Sequence, residues 1–509
     1  MSQRYGIIDI GSNSIRLVIY EKTEQGAHRV VDGSKRSARL SSYINEQGEL
    51  SQEGIHVLID TLKIFQLLAK QHQLEELVPI ATAAIRNAAN QADIVMQVEQ
   101  ETSLHIKILS GLEEAEYGFL GMINSISVQS GFLLDIGGGS SELTLFIDRK
   151  IIHSFSFPFG CVSLNKQFDS KQGLNDIELT QLYEEIEREL AKHDWIAGYK
   201  HLPLVAVGGT ARAVGKIHQA SIDYPLAQTH NYPMSDADVM ELFNQLRALP
   251  HEKRKKTNGL SKDRADVIIP GLAILTKIFQ YTDAERYVIC GAGLRDGVFH
   301  KLFFPEQPLH NNPLEYSIEN LIALHTALPR AHTDHISALA DQLLSILMKD
   351  DPSKQSYALY LNAAARLYRI GATIEYYQFA KHTFYLIVHS HLNGLSHKEI
   401  LLVAAIASFR SKGKAKSELK GYSKLISQVD LDTISRLGYV LQLAAALDRS
   451  EAQSIQSMEL RLDQDTLHIS VTEAQTDMEL ETHNVEDLAS DFKKHWGVRP
   501  ILSMELKQN

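Results

Sequence analysis

Apolar and polar residues alternate with two different periods along this chain, and the period changes from one region to the next. Up to about residue 124, a predicted strand pair over 5–20 is followed by a helix near 52–71 and a strand over 77–81. The next region, up to about 304, repeats the theme with a helix near 176–192 and with strands at 131–134, 143–147, 151–157, 202–207 and 286–289. The pattern predicts two α/β lobes.

The periodicity changes after the proline-containing segment 305–313. From about 316 to 454 it predicts helix after helix with hardly a strand. Alternating residues then predict strands from 458 onward, an amphipathic helix near 485–495 and a last strand around 499–505. We therefore predict four domains, which are lobe I over 1–124, lobe II over 125–305, an all-helical domain over 314–455 and a small α/β domain over 456–509.

Each predicted lobe contains one copy of a short motif at the end of an apolar strand. The copies are Asp9-Ile10-Gly11-Ser12-Asn13-Ser14 and Asp135-Ile136-Gly137-Gly138-Gly139-Ser140-Ser141-Glu142, and the second begins 126 residues after the first. Glycine and serine let backbone N–H groups and hydroxyls approach a phosphate, while a neighbouring Asp can hold a divalent cation or position water. One copy alone is also ordinary turn chemistry. The duplication favours a two-lobed phosphate clamp of the type found in actin, sugar kinases and Hsp70.

Composition and charge exclude some kinds of protein and some kinds of binding partner. The chain has 509 residues, of which 44% are hydrophobic, and its two cysteines, Cys161 and Cys290, provide no disulfide framework. We expect neither a secretory leader nor a membrane-spanning helix, since the N-terminal residues lack the leader pattern and no apolar run approaches about 18 residues. We therefore expect a cytoplasmic protein, with peripheral membrane association left open. A net charge of −11 argues against nucleic acid as a partner.

Five further motifs follow the glycine-rich pair in a fixed order. They occupy 82–90, 109–115, 207–212, 259–266 and 291–297. In order and spacing they resemble the exopolyphosphatase/guanosine pentaphosphatase (Ppx/GppA) phosphatase family. The resemblance implies an actin-like hydrolase that removes the terminal phosphate of inorganic polyphosphate, or the γ-phosphate of guanosine pentaphosphate, with Mg²⁺. It also implies a homodimer, and a monovalent cation such as K⁺ is a further candidate cofactor.

The resemblance assigns the general base to Glu114. This residue lies in the first turn of a predicted helix that follows a strand, so its carboxylate can reach a cleft between the lobes. The same segment is typical of a capped helix, with Ser110 as the N-cap and Glu113 as its partner. By resemblance, Glu142 is a second catalytic or metal-supporting carboxylate.

The two strand-terminal carboxylates, Asp9 and Asp135, are the predicted Mg²⁺ ligands, because Mg²⁺ keeps several waters and takes one or two carboxylates together with phosphate oxygens. Asp as a simple turn initiator is the alternative. Small and basic residues are predicted to bind phosphate, and these are Ser12, Asn13, Ser14, Arg86, Gly138, Gly139, Ser140, Gly208, Gly209, Thr210 and Arg264. For Arg86, a surface ion pair is the alternative interpretation.

The predicted helical domain lacks a sequence feature that is found in the corresponding domain of related proteins. In long family members this domain resembles HD-type metal phosphohydrolases, which need an adjacent His-Asp pair. Tyr368 and Arg369 stand at that place, although His382, His389 and His391 are nearby in sequence. Because Arg cannot coordinate a cation, we predict an HD-like domain with a degenerate metal motif, which extends a polyphosphate channel or forms a dimer surface.

Two basic runs, 253–256 and 410–416, are candidates for lining a polyphosphate path, although such runs are usually solvated faces. Since no feature outside the lobes indicates guanine binding, the sequence favours an exopolyphosphatase. A guanosine pentaphosphate 5′-phosphohydrolase on the same core is the alternative. A non-catalytic polyphosphate-binding regulator is a further one, and intact Glu114 and Glu142 argue against it. A sugar kinase is disfavoured because no sugar-binding Asp is identifiable.

Overall fold

The structure is a computed structural model that describes residues 2–168, 170–325, 329–475 and 477–504. The chain divides into two compact units, 1–313 and 314–509. The boundary falls where the periodicity changes. No helix in the described ranges is long and apolar enough to cross a membrane.

The first unit begins with a five-stranded mixed sheet in the order β3-β2-β1-β4-β5. Its strands are β1 (Gln3–Ile10), β2 (Ile15–Lys22), β3 (His28–Arg36), β4 (Glu76–Ala81) and β5 (Lys107–Ile108). The accompanying helices are α1 (Gln52–Gln71), α2 (Ala83–Arg86), α3 (Gln91–Thr102) and α4 (Gly111–Ile123). The apolar stripe of α1 packs on the buried side chains of β1 and β2, as its periodicity predicts.

A second, six-stranded mixed sheet in the same unit has the order β10-β11-β9-β6-β7-β8. Its strands are β6 (Gly131–Ile136), β7 (Ser141–Ile147), β8 (Lys150–Phe157), β9 (Leu204–Val207), β10 (Tyr232–Met234) and β11 (Tyr287–Ile289). Its helices are α5 (Cys161–Gln167), α6 (Asp176–Leu190), α7 (Gly208–Ser221), α8 (Asp236–Arg247), α9 (His251–Arg254), α10 (Ile268–Tyr281) and α11 (Leu294–Phe303). The two sheets repeat one arrangement, because β1 and β6 each pair antiparallel with the next strand and parallel with a later one.

Helices α4 and α11 approach each other closely through glycine. A Cβ atom on Gly121 would lie 2.2 Å from the carbonyl oxygen of Gly293, and one on Gly297 would lie 1.8 Å from that of Tyr117. Both distances are far below van der Waals contact, so only glycine allows this approach. Close packing against α11 therefore fixes the position of α4.

Three histidines cluster in the first unit. His28 packs against the ring of Phe299 with 4.8 Å between ring centroids, and the imidazole nitrogens of His300 and His310 lie 3.3 Å apart. Burial lowers the pKa of His28 to about 4 and that of His300 to about 3. The folded state therefore holds these side chains neutral.

We expect this cluster to make the first unit acid-sensitive. Between about pH 6.5 and pH 4 the unfolded chain binds protons that the fold excludes, so the free energy of unfolding falls as pH falls, by about 1.4 kcal/mol per pH unit for each such histidine. Urea unfolding at several pH values, followed by tryptophan fluorescence, measures this. His28→Phe should make the dependence shallower, whereas exchange of the exposed His105 for Gln should not. An unchanged slope in His28→Phe would contradict the assignment.

The second unit is helical up to residue 447 and then contains a small sheet. Its helices are α12 (Pro313–Leu324), α13 (Arg330–Leu347), α14 (Lys354–Arg366), α15 (Phe379–His389), α16 (His397–Ala407), α17 (Lys412–Glu418) and α18 (Gln428–Leu447). The sheet has the order β12-β13-β14 and consists of β12 (Ile455–Asp463), β13 (Thr466–Ala474) and β14 (Arg499–Met504). Helix α19 (Glu479–Trp496) lies between β13 and β14 in the chain.

The start predicted for the last helix was wrong. Helix α19 begins at Glu479 rather than near 485. Glu481 in its first turn is buried, and its carboxylate accepts a hydrogen bond from the Ser450 backbone N–H at 2.9 Å. A charged residue at this buried position interrupts the apolar periodicity from which the start of the helix was predicted. Residue 505, the end of the predicted last strand, lies outside the described residues.

Candidate active site

The two glycine-rich motifs form equivalent turns. The Gly11 N–H donates to the Ser14 carbonyl at 3.2 Å, and the Gly137 N–H donates to the Ser140 carbonyl at 3.0 Å. In cross-strand register Asp9 faces Arg16, and Asp135 faces Glu142. Positions 16 and 142 are separated by the same 126 residues as the motifs. At equivalent positions of the repeat, lobe I therefore has the Arg16 guanidinium and lobe II has the Glu142 carboxylate.

The two turns also face each other. A Cβ atom on Gly138 would lie 2.8 Å from the Cβ of Ser12, and one on Gly139 would lie 3.1 Å from its Oγ. Between the turns lies a cavity of about 140 Å³. The predicted site residues that line it are Asp9, Ser12, Asn13, Ser14, Glu114, Asp135, Gly138, Gly139, Ser140, Gly208, Gly209 and Arg264.

Three predicted site residues lie outside this lining. Glu142 is buried behind it, where its carboxylate accepts a hydrogen bond from Ser156 Oγ at 2.7 Å. Thr210 packs against Gly271 of α10. Arg86 donates from Nη1 to Glu114 Oε2 at 2.6 Å and to the Leu109 carbonyl at 3.0 Å. The structure thus pairs Arg86 with the Glu114 carboxylate, in a shielded ion pair rather than at the surface or in the cavity wall.

Two adjacent glutamates at the beginning of α4 have different roles. Ser110 Oγ accepts the Glu113 N–H at 3.1 Å, and the Glu113 carboxylate accepts the Ser110 N–H at 2.9 Å. This reciprocal pair confirms the predicted capping box. Glu114 takes no part in the cap through its side chain, and that side chain lines the cavity.

Burial dominates the electrostatics of the carboxylates. It raises the pKa of Glu114 to about 7, with Arg86 opposing the rise and Asp135 and Asp9 adding to it. It raises the pKa of Asp135 to about 6, and that of Glu142 well above its usual range, where the Glu114 carboxylate adds to the effect. Such a group of carboxylates is fully ionised only when cations share the site.

The residues present fit Mg²⁺. In the described ranges no three Asp, Glu, His or Cys side chains converge on a metal-binding geometry, but Mg²⁺ needs only one or two carboxylates when water and phosphate supply the other oxygens. Asp9 and Asp135 both line the cavity. Space beside Asp135 is kept open by Gly208, whose φ is +91° and whose Cβ position lies 2.8 Å from Asp135 Oδ1. A divalent cation there would also offset the cost of ionising Asp135.

Four arginines line the cavity, and of these only Arg264 was predicted to bind phosphate. They are Arg16, Arg212, Arg264 and Arg295. Burial, as the largest cause, and the nearby guanidinium groups of Arg295 and Arg212 together lower the pKa of Arg16 to about 10. Arg295 contacts Asp9 at 3.2 Å, and the Arg264 guanidinium fills the space beside Gly209. This concentration of positive charge around a small cavity is suited to a polyanion.

Two family profiles match this chain. The profile of the Ppx/GppA phosphatase family matches residues 18–304, and that of Ppx/GppA phosphatase, domain III, matches residues 315–491. The chain belongs to the Ppx/GppA phosphatase family. It is accordingly a hydrolase of phosphoric anhydrides.

Individual relatives agree with the family assignment. The guanosine-5′-triphosphate,3′-diphosphate pyrophosphatase of Pseudoalteromonas translucida is 27% identical over 427 residues, which cover 82% of each chain. The Ppx/GppA family member of Aquifex aeolicus is 26% identical, with a TM-score of 0.53 over 60% of this chain and 99% of its own. An exopolyphosphatase from Cytophaga hutchinsonii, 20% identical, has a TM-score of 0.57 over 60% of this chain and 100% of its own, and supports the fold. The actin-like fold is therefore confirmed, whereas the expected homodimer and cytoplasmic location stay predictions.

Some of the basic side chains in the two runs are buried or already paired with carboxylates, so they are not free to line a polyphosphate path. Arg254 of the first run is buried, and Lys255 pairs with Glu252 at 2.7 Å. In the second run, Lys412 pairs with Asp432 at 2.5 Å. Part of the positive charge of each run is therefore already used within this Ppx/GppA chain.

Proposed function

We propose that this chain is an exopolyphosphatase that releases terminal orthophosphate from inorganic polyphosphate. The observation that carries this proposal is the lining of the cavity. Four arginines and the glycine-serine turns provide donors for phosphate oxygens, and no aromatic side chain is present among the described residues of the lining. A phosphate chain needs no ring contact, whereas a purine is usually held by one.

In the proposed reaction, water attacks the terminal phosphorus atom and Glu114 accepts its proton. The bond from that phosphorus to the bridging oxygen breaks, and the electron pair stays on the shortened chain. Ser12, Asn13 and the backbone N–H groups of the second turn hold the terminal phosphoryl oxygens. The arginines neutralise the charge that develops on the bridging oxygen.

Mg²⁺, when it is held by Asp9 and Asp135, supplies further charge neutralisation at the phosphate oxygens. Behind these ligands, Glu142 adds negative charge to the site and is held in place by Ser156. We assign Glu142 a supporting role for metal and base.

A second candidate is hydrolysis of the terminal 5′ phosphate of guanosine pentaphosphate. The observation that favours it is the pyrophosphatase of P. translucida, whose similarity extends over 82% of this chain. The same base, cation ligands and arginines would serve that reaction, because the bond that breaks is again a phosphoanhydride.

The test is Mg²⁺-dependent phosphate release from long-chain polyphosphate and from guanosine pentaphosphate, measured side by side as kcat/KM. A preference for polyphosphate supports the proposal. A preference for the nucleotide would replace it with the second candidate. Binding of polyphosphate without release from either compound would indicate a regulator instead.

Removal of Arg86 should shift the pH dependence of hydrolysis. The guanidinium lowers the pKa of Glu114, and the proposed base acts only when it is deprotonated. In Arg86→Ala this pKa rises, so the rate at about pH 6 should fall more than the rate at about pH 8. The pH profile of kcat is the measurement. Arg86→Lys should restore part of the shift, and Arg188→Ala, which breaks an exposed ion pair with Glu185, should leave the profile unchanged. An equal loss at every pH would contradict the role.

A further inference from the structure

A second cleft, of about 640 Å³, lies within the helical unit. Its walls come from α13, the segment after α14, the start of α15, the segment between α16 and α17, the end of α18 with the residues that follow it, and one face of α19. It contains five aromatic side chains, which are Tyr368, Tyr376, Tyr377, Phe379 and Tyr439. All of its lining belongs to residues 332–491, so the cleft is formed without the first unit.

Two tyrosines at this cleft are unusually accessible. The exposed fractions of Tyr376 and Tyr377 are 58% and 89%. Their turn is ordered, because the Glu375 carboxylate accepts the N–H groups of Tyr377 at 2.8 Å and Gln378 at 2.6 Å. The two rings meet edge-on, with 5.5 Å between their centroids and 86° between their planes, so the exposed face of Tyr377 provides the stacking surface.

Guanidinium groups stand beside the rings. Arg369 lies over the rings of Tyr376 and Phe379, at 5.4 Å from each centroid, and pairs with Glu451 at 2.6 Å. Arg410 and Arg449 also line the cleft, and neither forms an ion pair within the part of the chain that the structure describes. These two cations are therefore available to an anionic group of a ligand.

Hydrogen-bond acceptors line another wall. Asn484, Asp487 and Asp491 follow a spacing of three and four residues, which places them on one face of α19. Nearby, His332 Nδ1 and Asp448 Oδ2 form a buried pair at 2.7 Å. That pair closes the cleft, and the acceptors on α19 can receive N–H groups.

We propose that this cleft binds a nucleoside phosphate. The base stacks on Tyr377, and its N–H groups donate to Asp487 and Asp491. The phosphate lies against Arg410 and Arg449. Inorganic polyphosphate fits less well, because it has no ring to stack and the carboxylates would repel it. The inference is independent of the substrate at the active site.

Calorimetric titration of the full chain tests the proposal. Guanosine and adenosine monophosphates serve as probes, because they contain no anhydride bond to hydrolyse. Ribose 5-phosphate and inorganic pyrophosphate provide the phosphate without a base. We expect at least one nucleotide to bind about tenfold or more tightly than both base-free compounds. Equal affinity for ribose 5-phosphate, or no binding at about 1 mM nucleotide, would overturn the proposal.

Variants locate the binding. Tyr377→Ala and Arg449→Ala should each weaken nucleotide binding about tenfold. The matched controls Tyr385→Ala and Arg461→Ala remove another exposed ring and an exposed guanidinium outside the cleft, and should leave the affinity unchanged. Arg212→Ala alters the active-site cavity and should also leave it unchanged. Loss of binding in Arg212→Ala, with full binding in Tyr377→Ala, would assign the nucleotide to the active site and refute the cleft.

Discussion

Replacement of Glu114 by Gln should lower kcat for phosphate release by about 10²–10⁴-fold, while the affinity for polyphosphate changes little. The amide keeps the shape of the side chain and its place beside Arg86, but it cannot accept the proton of the attacking water. In the wild type the carboxylate lies in a site where burial raises its pKa to about 7, so it is a base of suitable strength near neutral pH. Steady-state kinetics with long-chain polyphosphate, together with direct binding of the same substrate, separate the two effects.

The adjacent residue provides the matched control. Glu113→Gln changes the same chemical group one position earlier, where the carboxylate caps α4 rather than lining the cavity. Its kcat should stay close to that of the wild type, with a loss of stability of about 1 kcal/mol or less. A near-normal kcat in Glu114→Gln, or a similar loss in both variants, would remove Glu114 from the role of base.

The substitution Gly297→Ala should destabilise the first unit by about 3 kcal/mol. The new methyl group would lie 1.8 Å from the carbonyl oxygen and 2.6 Å from the carbonyl carbon of Tyr117. Both are backbone atoms of α4, so no side chain can rotate away and one helix has to move. Since α4 also contains Glu114, a displacement of about 1 Å should in addition reduce kcat by about 10²-fold.

Urea unfolding followed by fluorescence measures this loss of stability. The chain has two tryptophans, Trp195 in the first unit and Trp496 in the second, so a Trp496→Phe background restricts the signal to the first unit. Gly198→Ala is the control, because a Cβ atom there meets no atom within 4 Å, and it should change stability by less than about 0.5 kcal/mol. An unfolding midpoint for Gly297→Ala equal to that of the control would contradict the packing argument.

Elements whose evidence lies within a few neighbouring residues were predicted well from the sequence. The helix expected near 52–71 is α1, and the two glycine-rich motifs form equivalent turns at the ends of β1 and β6. The capping box at Ser110 was also identified correctly. Each of these features depends on periodicity or on hydrogen bonds between residues at most four positions apart.

The surroundings of the site residues were harder to predict. The phosphate contact expected for Arg86 stays a prediction, but its hydrogen bond to Glu114, 28 residues later in the chain, was not predicted. Arg16 received no role, although superposition of the two motifs would have shown it to be the counterpart of Glu142. Arg212 and Arg295 follow glycines within the motifs at 207–212 and 291–297, and that position was the available signal for them.

The sequence by itself determined the strands, the helices, the repeated phosphate-type turn and the family resemblance, because these depend on local pattern and on ordered motifs. Only the tertiary structure decided which side chains meet. Four arginines from distant segments converge on one cavity, Glu114 gains an ion pair and a raised pKa, and a cleft forms between tyrosines and the acidic face of α19. Distance, burial and charge arise when elements far apart in the chain pack together, and no single segment encodes them.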